Sequence, residues 1–275
     1  MRRQTETFFD FKYFASSTQP KRFSILDFGF SNQSKIGNPK SEMRRPEGFL
    51  PRNHAFRTSA ARRSRLVACL ALGCILVLLP AAAAPTPRIV MFLGNSITAG
   101  YGIELSQAFP ALIQERIDAK GWNVKVINAG QSGDTSAGGL SRLDWVLRNK
   151  IDVLVLELGA NDGLRGLPVE VTQKNLQAII NRTKERYPNV KVIVAGMKVP
   201  PNIGRDYARN FEAIFPELAK QNNAALIPFI LQGVGGERAL NLPDGIHPTT
   251  KGHEIVAANV WKVLEPVLRS LNTGR

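Results

Sequence analysis

Cysteine and histidine are scarce in this sequence, and their positions limit the chemistry that it can support. The two cysteines, Cys69 and Cys74, lie in one apolar run, so the chain beyond that run has no thiol nucleophile, disulfide or cysteine metal site. Of the three histidines, His54 precedes the run, which leaves His247 and His253. No His-x-x-x-His or similar ligand spacing occurs. We therefore expect neither a metal nor an organic cofactor.

A strong charge of one sign is also missing from most of the chain, although the formal net charge is +14. Residues 1–84 carry 14 Lys and Arg against 5 Asp and Glu, which leaves 22 against 17 for the remainder. This small excess, spread along the remaining sequence, describes an ordinary protein surface. This surface gives no support for a nucleic-acid partner. The expected partner is a small-molecule substrate, and the expected oligomeric state is a monomer.

The apolar run covers residues 66–84, contains no charge and directly follows Arg62-Arg63-Ser64-Arg65. A basic segment, an apolar stretch and a small-residue end predict a signal peptide over residues 62–84, cleaved after Ala83. The protein would then be exported, and periplasmic or secreted. The alternative is an uncleaved signal anchor in the inner membrane, because residues 66–84 are just long enough to span a bilayer.

Residues 1–61 are rich in Ser, Asn, Pro and Arg and have no sustained hydrophobic period. This composition is typical of a disordered segment. Met43, which precedes two arginines, is an alternative start, and the first 42 residues would then be an over-extension of the reading frame.

Residues 85–275 are long enough for one domain with a well-buried core. In this part of the chain, apolar runs rich in β-formers alternate with amphipathic patterns. We predict strands at residues 88–93, 124–128, 153–158, 190–195 and 225–228, and helices at 107–120, 138–149, 169–187, 207–221 and 250–271. Strands that are apolar throughout are buried on both faces. The predicted fold is an α/β/α sandwich of three layers with a central parallel sheet.

Three polar, glycine-bearing loops follow the first three predicted strands, at residues 94–96, 130–134 and 159–162. Ligands of open parallel sheets bind outside the carboxyl ends of the strands. Each loop on its own could be a plain turn. Because they follow three successive strands, together they predict a functional site at that edge.

Ser96, Asp244 and His247 supply the three groups of nucleophilic catalysis by serine. A serine hydroxyl becomes a good nucleophile when an imidazole takes its proton and a carboxylate fixes the tautomer of that imidazole. Asp244 lies three residues before His247, so one turn can present both side chains toward a serine held elsewhere.

Five other polar residues near these motifs have simpler interpretations. Ser132 and Ser136 lie on a glycine-rich loop and fit supporting hydrogen bonds better than nucleophilic attack. We interpret Asp134 and Asp162 as Asx-turn residues that stabilise their loops, with Asp134 helping to hold the loop at Gly133. His253 is expected at the surface or at a helix cap.

Residues 94–102, 130–135, 159–166 and 244–248 resemble the four sequence blocks of the SGNH (GDSL-type) hydrolases, in order and at fitting spacing. Within that superfamily the chain is similar to the bacterial thioesterase and lysophospholipase group and its arylesterase relatives. The resemblance covers residues 88–270 and implies a flavodoxin-like sheet.

The resemblance implies a role for each residue of the candidate site. Ser96 would be the nucleophile, His247 the general base and later acid, and Asp244 its orienting carboxylate. The oxyanion hole would consist of the backbone N–H groups of Ser96 and Gly133 and the side-chain amide of Asn161.

Substrate contacts are implied for Leu164 and Arg165 on one loop, and for Val199 and Pro200 on another. The chain departs from the family pattern at Asn95, where aspartate is usual. We expect this change to leave activity in place and to alter a local hydrogen-bond network.

The activity implied by the resemblance is hydrolysis of an ester or thioester through an acyl-serine intermediate. Aryl esters, lysophospholipids and acyl thioesters are the candidate substrates. An O-acetyl esterase of envelope polysaccharide and a non-catalytic envelope binding protein are the alternatives.

Overall fold

The computed structural model of the protein describes residues 86–272. The predicted disordered segment at residues 1–61, the predicted signal peptide or anchor at residues 62–84 (the leader) and both cysteines lie outside these residues. Within the described range, no helix combines the length and the apolar character needed to cross a membrane.

Five parallel strands form one sheet, and all five predicted strands are confirmed to within two residues at each end. They are β1 (Arg88–Gly94), β2 (Val124–Gly130), β3 (Val153–Glu157), β4 (Lys191–Ala195) and β5 (Ala225–Ile227). Their order in the sheet is β2-β1-β3-β4-β5. This is the flavodoxin-like order, in which β1 and β3 are central neighbours.

Eight α-helices lie in the described part of the chain. They are α1 (Ser96–Ala99), α2 (Phe109–Ala119), α3 (Ser136–Ser141), α4 (Leu143–Val146), α5 (Ala160–Leu164), α6 (Val169–Arg186), α7 (Arg205–Gln221) and α8 (Thr250–Asn272). Short 3₁₀ turns occur at Leu105–Gln107, Pro201–Ile203 and Arg238–Leu240.

The long helices form two layers, one on each face of the sheet. Helix α2 packs on β2 and α8, and α8 packs on β4 and β5; on the other face α3 packs on α6, and α6 on α7. The connection from β1 to β2 runs across the sheet in the opposite direction to the later connections. Because parallel crossovers are right-handed, this reversal places α2 on the opposite face from α3, α6 and α7. The predicted three-layer sandwich is confirmed.

The strands differ in burial according to their place in the sheet. The central strand β3 is buried along its whole length, whereas the outer strand β2 is only partly buried. Gln114 of α2 covers the free edge of β2: its Oε1 accepts from Val126 N at 2.6 Å and its Nε2 donates to Val124 O at 3.1 Å. These two bonds satisfy backbone groups that an edge strand otherwise leaves unpaired.

The single helix predicted at 138–149 is wrong, since two short helices, α3 and α4, meet at Arg142 in a non-helical conformation. Two glycines in α3 weaken its helical propensity. A Cβ at Gly139 would lie 2.2 Å from Leu158 Cδ1, so close packing requires glycine there. Helices α1 and α5, in segments predicted as loops, are too short to show a hydrophobic period.

Candidate active site

The three polar loops meet at the carboxyl edge of the sheet, because their strands are neighbours. Gly94 at the end of β1 is level with Gly130 of β2 on one side and with Glu157 of β3 on the other. The chain then continues into α1 after β1, into the loop at Gly133 after β2, and into α5 after β3. Topology therefore brings together segments that are far apart in sequence.

Ser96 is the first residue of α1 and is mostly buried, with 9% of its surface exposed. Asn95 caps this helix, since its Oδ1 accepts from Ile97 N at 2.9 Å. The helix ends at Gly100, whose φ of 74° lies in the left-handed region that favours glycine. The segment of residues 95–100, here called the Ser96 turn, is thus capped at both ends.

The structure brings Ser96, His247 and Asp244 into one hydrogen-bonded chain. Ser96 Oγ lies 2.8 Å from His247 Nε2, and His247 Nδ1 lies 2.7 Å from Asp244 Oδ2. The other carboxylate oxygen, Asp244 Oδ1, accepts from Ile246 N at 2.9 Å and from His247 N at 3.0 Å. Asp244 therefore holds both the imidazole and the turn that carries it.

The electrostatics of this pair favour an ionised carboxylate. Partial burial raises the pKa of Asp244, but the hydrogen bonds from His247 and Ile246 outweigh it and lower the pKa below the ordinary aspartate value. Asp244 consequently accepts from His247 Nδ1–H and leaves Nε2 as the acceptor for the serine proton.

Tyr101 covers the imidazole, a contact that no sequence motif indicates. Its ring centroid lies 4.5 Å from that of His247, with the planes tilted by 40°. Tyr101 is half exposed and follows α1, so one short segment contributes both the serine and a cover for the histidine.

The predicted oxyanion groups lie on the two neighbouring loops. Asn161 is near the start of α5, and its Nδ2 donates to Asp134 O at 2.8 Å, which orients the amide and leaves its second N–H for another acceptor. Gly133 has a φ of 84°, and a Cβ added there would meet nothing within 4 Å, so the backbone at this point borders open space.

Arg142 fixes the loop that contains Gly133. Its Nε lies 2.6 Å from Asp134 Oδ2, and its Nη2 donates to Gly94 O and Ala129 O at 3.1 and 2.8 Å. Asp134 thus supports this loop as predicted, but through an ion pair with Arg142, the residue between α3 and α4, rather than through a local Asx turn.

Asp162 and Ser136 connect the second and third loops. The buried carboxylate of Asp162 accepts from the backbone N–H and the hydroxyl of Ser136, and from Thr172 Oγ1. The Asx-turn interpretation of Asp162 is therefore wrong, since these bonds cross between elements. Ser136 is fully engaged as a supporting residue, and Ser132 is exposed on the loop.

The four predicted substrate-contacting residues lie in different environments. Leu164 is 40% exposed, and exposed Arg165 donates from Nη2 to Gly133 O at 3.2 Å. Pro200 is half-buried, whereas Val199 belongs to the core, where its Cγ1 would lie 2.4 Å from a Cβ at Gly163. Leu164, Arg165 and Pro200 are thus the members that solvent reaches.

His253 is not a surface residue: only 1% of it is exposed. Its Nδ1 accepts from Phe109 N at 3.1 Å, so it caps the start of α2 rather than that of its own helix. Burial, followed by the nearby charge of His247, lowers its pKa to about 4. The neutral form is the one suited to accept from Phe109.

Glu157 is a buried carboxyl at the site that sequence reasoning missed. It ends β3 with no exposed surface and accepts from Asn95 N, Asn95 Nδ2 and Thr98 Oγ1 at 3.2, 2.8 and 2.7 Å. Burial raises its pKa to about 7, although these bonds oppose the rise. A lone acidic residue at the end of an apolar strand was the signal in the sequence.

A groove of about 530 Å³ lies elsewhere, on the α2 side of α1, and contains none of these catalytic candidates. Apolar residues such as Ala99, Leu105 and Pro110 line it. Within residues 86–272, no cluster of three or more acidic or histidine side chains is arranged to hold a metal ion.

A flavodoxin-like sheet with a hydrogen-bonded serine, histidine and aspartate beyond its strand ends has the architecture of an α/β serine hydrolase. Comparison with known proteins agrees, since residues 92–255 match the GDSL-like lipase/acylhydrolase family. The chain belongs to this family, as its four sequence blocks predicted.

Named relatives are similar along nearly their whole length. Esterase TesA of Pseudomonas aeruginosa is 42% identical over 203 residues, covering 73% of this chain and 99% of the relative. An arylesterase of Vibrio mimicus is 35% identical, with 70% and 96% covered. The thioesterase 1/protease 1/lysophospholipase L1 of Escherichia coli is 37% identical, with 70% and 90% covered.

The fold is also similar to those of solved esterase structures. A crystal structure of TesA has a TM-score of 0.63 at 39% identity, covering 65% of this chain and 99% of that one. The psychrotrophic esterase EstA from Pseudoalteromonas, inhibited by monoethylphosphonate, has a TM-score of 0.63 at 31% identity, with 66% and 99% covered. The chain is accordingly an SGNH esterase.

Proposed function

We propose that this esterase works through an acyl intermediate on Ser96, with His247 as the base and Asp244 as the orienting carboxylate. The observation that carries the proposal is the unbroken chain from Ser96 Oγ to His247 Nε2 at 2.8 Å and from His247 Nδ1 to Asp244 Oδ2 at 2.7 Å. Both distances are those of hydrogen bonds, so the proton of the serine has a direct acceptor.

In the first step, Ser96 Oγ attacks the acyl carbon while His247 Nε2 takes the hydroxyl proton. The imidazolium then gives this proton to the leaving alcohol or thiol as the bond to the acyl carbon breaks. A water molecule repeats the sequence on the acyl-serine and releases the carboxylic acid. The neighbouring Asp244 carboxylate stabilises the imidazolium in both steps.

The negative charge that develops on the substrate oxygen would be stabilised by the backbone N–H groups of Ser96 and Gly133 and by Asn161 Nδ2. The Asn161 amide is fixed by its bond to Asp134 O, so it needs no reorganisation during the reaction. Each donor of this kind contributes about 3 kcal/mol to lowering the barrier.

The substrate classes that we propose are aryl esters, lysophospholipids and acyl thioesters. We expect Leu164 and Pro200 to offer apolar surface to the acyl group, and exposed Arg165, which donates to Gly133 O, to offer a cation. The names of the relatives point in the same direction. An exported enzyme would rarely meet acyl-CoA, which favours lysophospholipids and small esters as natural substrates.

The test is hydrolysis of p-nitrophenyl esters from acetyl to palmitoyl by the full-length protein and by Ser96→Ala. Removing the nucleophile should lower kcat by several orders of magnitude. Ser132→Ala is the matched control, because Ser132 is exposed on the neighbouring loop and should leave kcat unchanged. Turnover by Ser96→Ala at the wild-type rate would overturn the proposal.

Two other outcomes separate the alternative functions. Turnover of acetylated polysaccharide in place of p-nitrophenyl esters would indicate the O-acetyl esterase. Failure of the folded protein to hydrolyse any ester and to react with a serine-directed phosphonate would indicate a binding protein. We expect Ser96 Oγ to displace the leaving group of the phosphonate and to gain the mass of the phosphonyl group, since a related esterase is inhibited by monoethylphosphonate.

We also propose that the enzyme acts outside the cytoplasm as a monomeric domain of residues 85–275, exported by the leader at 62–84. The proposal rests on the basic and apolar segments of the leader. N-terminal sequencing of the protein recovered from the periplasm tests it. A mature chain starting at residue 84 supports cleavage, whereas an intact leader in the membrane fraction supports the signal anchor.

A further inference from the structure

Glu157 is fully buried beneath the Ser96 turn, and the groups of residues 86–272 that donate to its carboxylate belong to that turn. Asn95 contributes its backbone N–H and its side-chain amide, and Thr98 contributes its hydroxyl, at distances of 3.2, 2.8 and 2.7 Å. The end of β3 is thereby hydrogen-bonded both to Asn95, before Ser96, and to Thr98, after it.

Asn95 uses both ends of its amide in this arrangement. Oδ1 accepts from Ile97 N at 2.9 Å and caps α1, while Nδ2 donates to Glu157 Oε1 at 2.8 Å. An ionised aspartate could form the first bond but not the second, because a carboxylate only accepts. Asn95 therefore matches a negatively charged Glu157, whereas an aspartate would need a proton shared between two carboxyl groups.

Helix α1 has only four residues and cannot hold its position through its own hydrogen bonds. Its place depends on contacts with the strand ends, and the Glu157 carboxylate supplies three of them. Within residues 86–272 no cation pairs with Glu157; nearby Arg142 bonds instead to Asp134 and to strand-end carbonyl groups. Donors from the Ser96 turn alone compensate the buried charge.

We propose that Asn95 and Glu157 form a positioning pair for Ser96, in which the buried carboxylate, held by the asparagine amide, fixes α1. The pair keeps Ser96 Oγ within 2.8 Å of His247 Nε2. The inference rests on the proposed function, since it assigns the pair a role relative to the nucleophile. Neither residue contacts substrate, so the pair affects the rate through the position of Ser96.

The polarity of the pair suggests a test in which donor and acceptor are exchanged. In Glu157→Gln, the introduced side-chain NH₂ group faces either the side-chain amide of Asn95 or the backbone N–H of Asn95. In both orientations two donors face each other, and a hydrogen bond is lost. In Asn95→Asp/Glu157→Gln, the introduced glutamine amide donates to the introduced aspartate, and its oxygen accepts from Thr98 and the backbone. The double variant thus restores every bond and keeps one negative charge.

The four proteins of this cycle are compared in full-length form at a pH well above the pKa of Glu157, which is about 7, so that this carboxyl is ionised. The measured quantities are kcat and KM on p-nitrophenyl butyrate and the rate of phosphonate labelling. We expect Glu157→Gln to lower kcat and the labelling rate at least about tenfold with KM nearly unchanged, and the double variant to recover most of this loss. Asn95→Asp should stay within about tenfold of the wild type, since a shared proton can replace the amide donor.

The proposal is overturned if Glu157→Gln is as active as the wild type, or if the folded double variant is as slow as Glu157→Gln. If Glu157→Gln does not fold, Thr98→Val replaces it, because this isosteric change removes one donor to Glu157. It should then lower kcat several-fold at constant KM, and an unchanged kcat would contradict the pairing. Activity of Ser96→Ala would instead refute the proposed function itself.

Discussion

Changing Asp244 to asparagine should lower kcat about 10²- to 10³-fold while the fold stays intact. The asparagine oxygen can still accept from the backbone N–H groups of Ile246 and His247, as Asp244 Oδ1 does now. Its amide, however, would face His247 Nδ1 as a donor. The imidazole would then carry its proton on Nε2, which faces Ser96 and could no longer accept the hydroxyl proton.

The expected magnitude follows from the exposure of the pair, whose side chains are 37% exposed for Asp244 and 18% for His247. An imidazolium and a carboxylate about 4 Å apart attract each other by about 1 kcal/mol at the dielectric constant of water and about 4 kcal/mol at an effective value near 20. The attraction in a partly exposed pair lies between these limits, at about 2 kcal/mol. In Asp244→Asn, the hydrogen bond from the asparagine amide to His247 Nδ1 must also break before Nε2 can accept the serine proton, which costs about 1–1.5 kcal/mol more. Together these amount to about 10²- to 10³-fold in rate, less than the roughly 10⁴-fold typical of a buried aspartate.

The assay is kcat and KM on p-nitrophenyl butyrate at neutral pH, with the melting temperature measured on the same samples. Asp206→Asn is the matched control, because Asp206 is 86% exposed, pairs only with Arg209 in the structure and should leave kcat unchanged. A kcat of Asp244→Asn within about threefold of the wild type would refute the tautomer argument. A large fall in melting temperature would show that the turn, rather than the proton, had been lost.

Three further predictions concern other parts of the structure. Asn161→Ala should lower kcat about 10²- to 10³-fold with little change in KM, and Asn161→Asp should not restore it, because a carboxylate cannot donate; steady-state kinetics of both variants check this. Between pH 6.5 and 4, the free energy of unfolding of the wild type should fall by about 3 kcal/mol more than that of His253→Gln. The reason is that the histidine of the unfolded chain takes up a proton in this range, whereas the buried one, with its pKa of about 4, does not. Urea unfolding of both proteins at several pH values measures the difference. Gly130→Ala should lower both the melting temperature and kcat, because its Cβ would lie 2.3 Å from Ala99 N, whereas Gly121→Ala, whose Cβ meets nothing within 4 Å, should leave kcat unchanged; equal kcat values for the two variants would contradict this.

The sequence determined the sheet and the chemical groups of the site. Apolar strands alternating with amphipathic helices leave few alternatives to a covered parallel sheet, and the topology rules for such sheets place the loops after β1, β2 and β3 at one edge. The spacing between Asp244 and His247 is local, so it can be interpreted without knowing the fold. These are properties of short segments, which is why they can be identified in one chain.

Which polar residues support the site is visible in the folded chain and not in the sequence. Asp162 bonds to Ser136 across 26 positions, Glu157 to Asn95 across 62, and His253 to Phe109 across 144. The sequence predicted local roles for Asp162 and His253 because the usual short-range patterns of aspartate and histidine were all that it displayed. A buried carboxylate or imidazole finds its partners through the packing of elements distant in sequence, so the burial of Glu157 and His253 became visible only in the folded molecule.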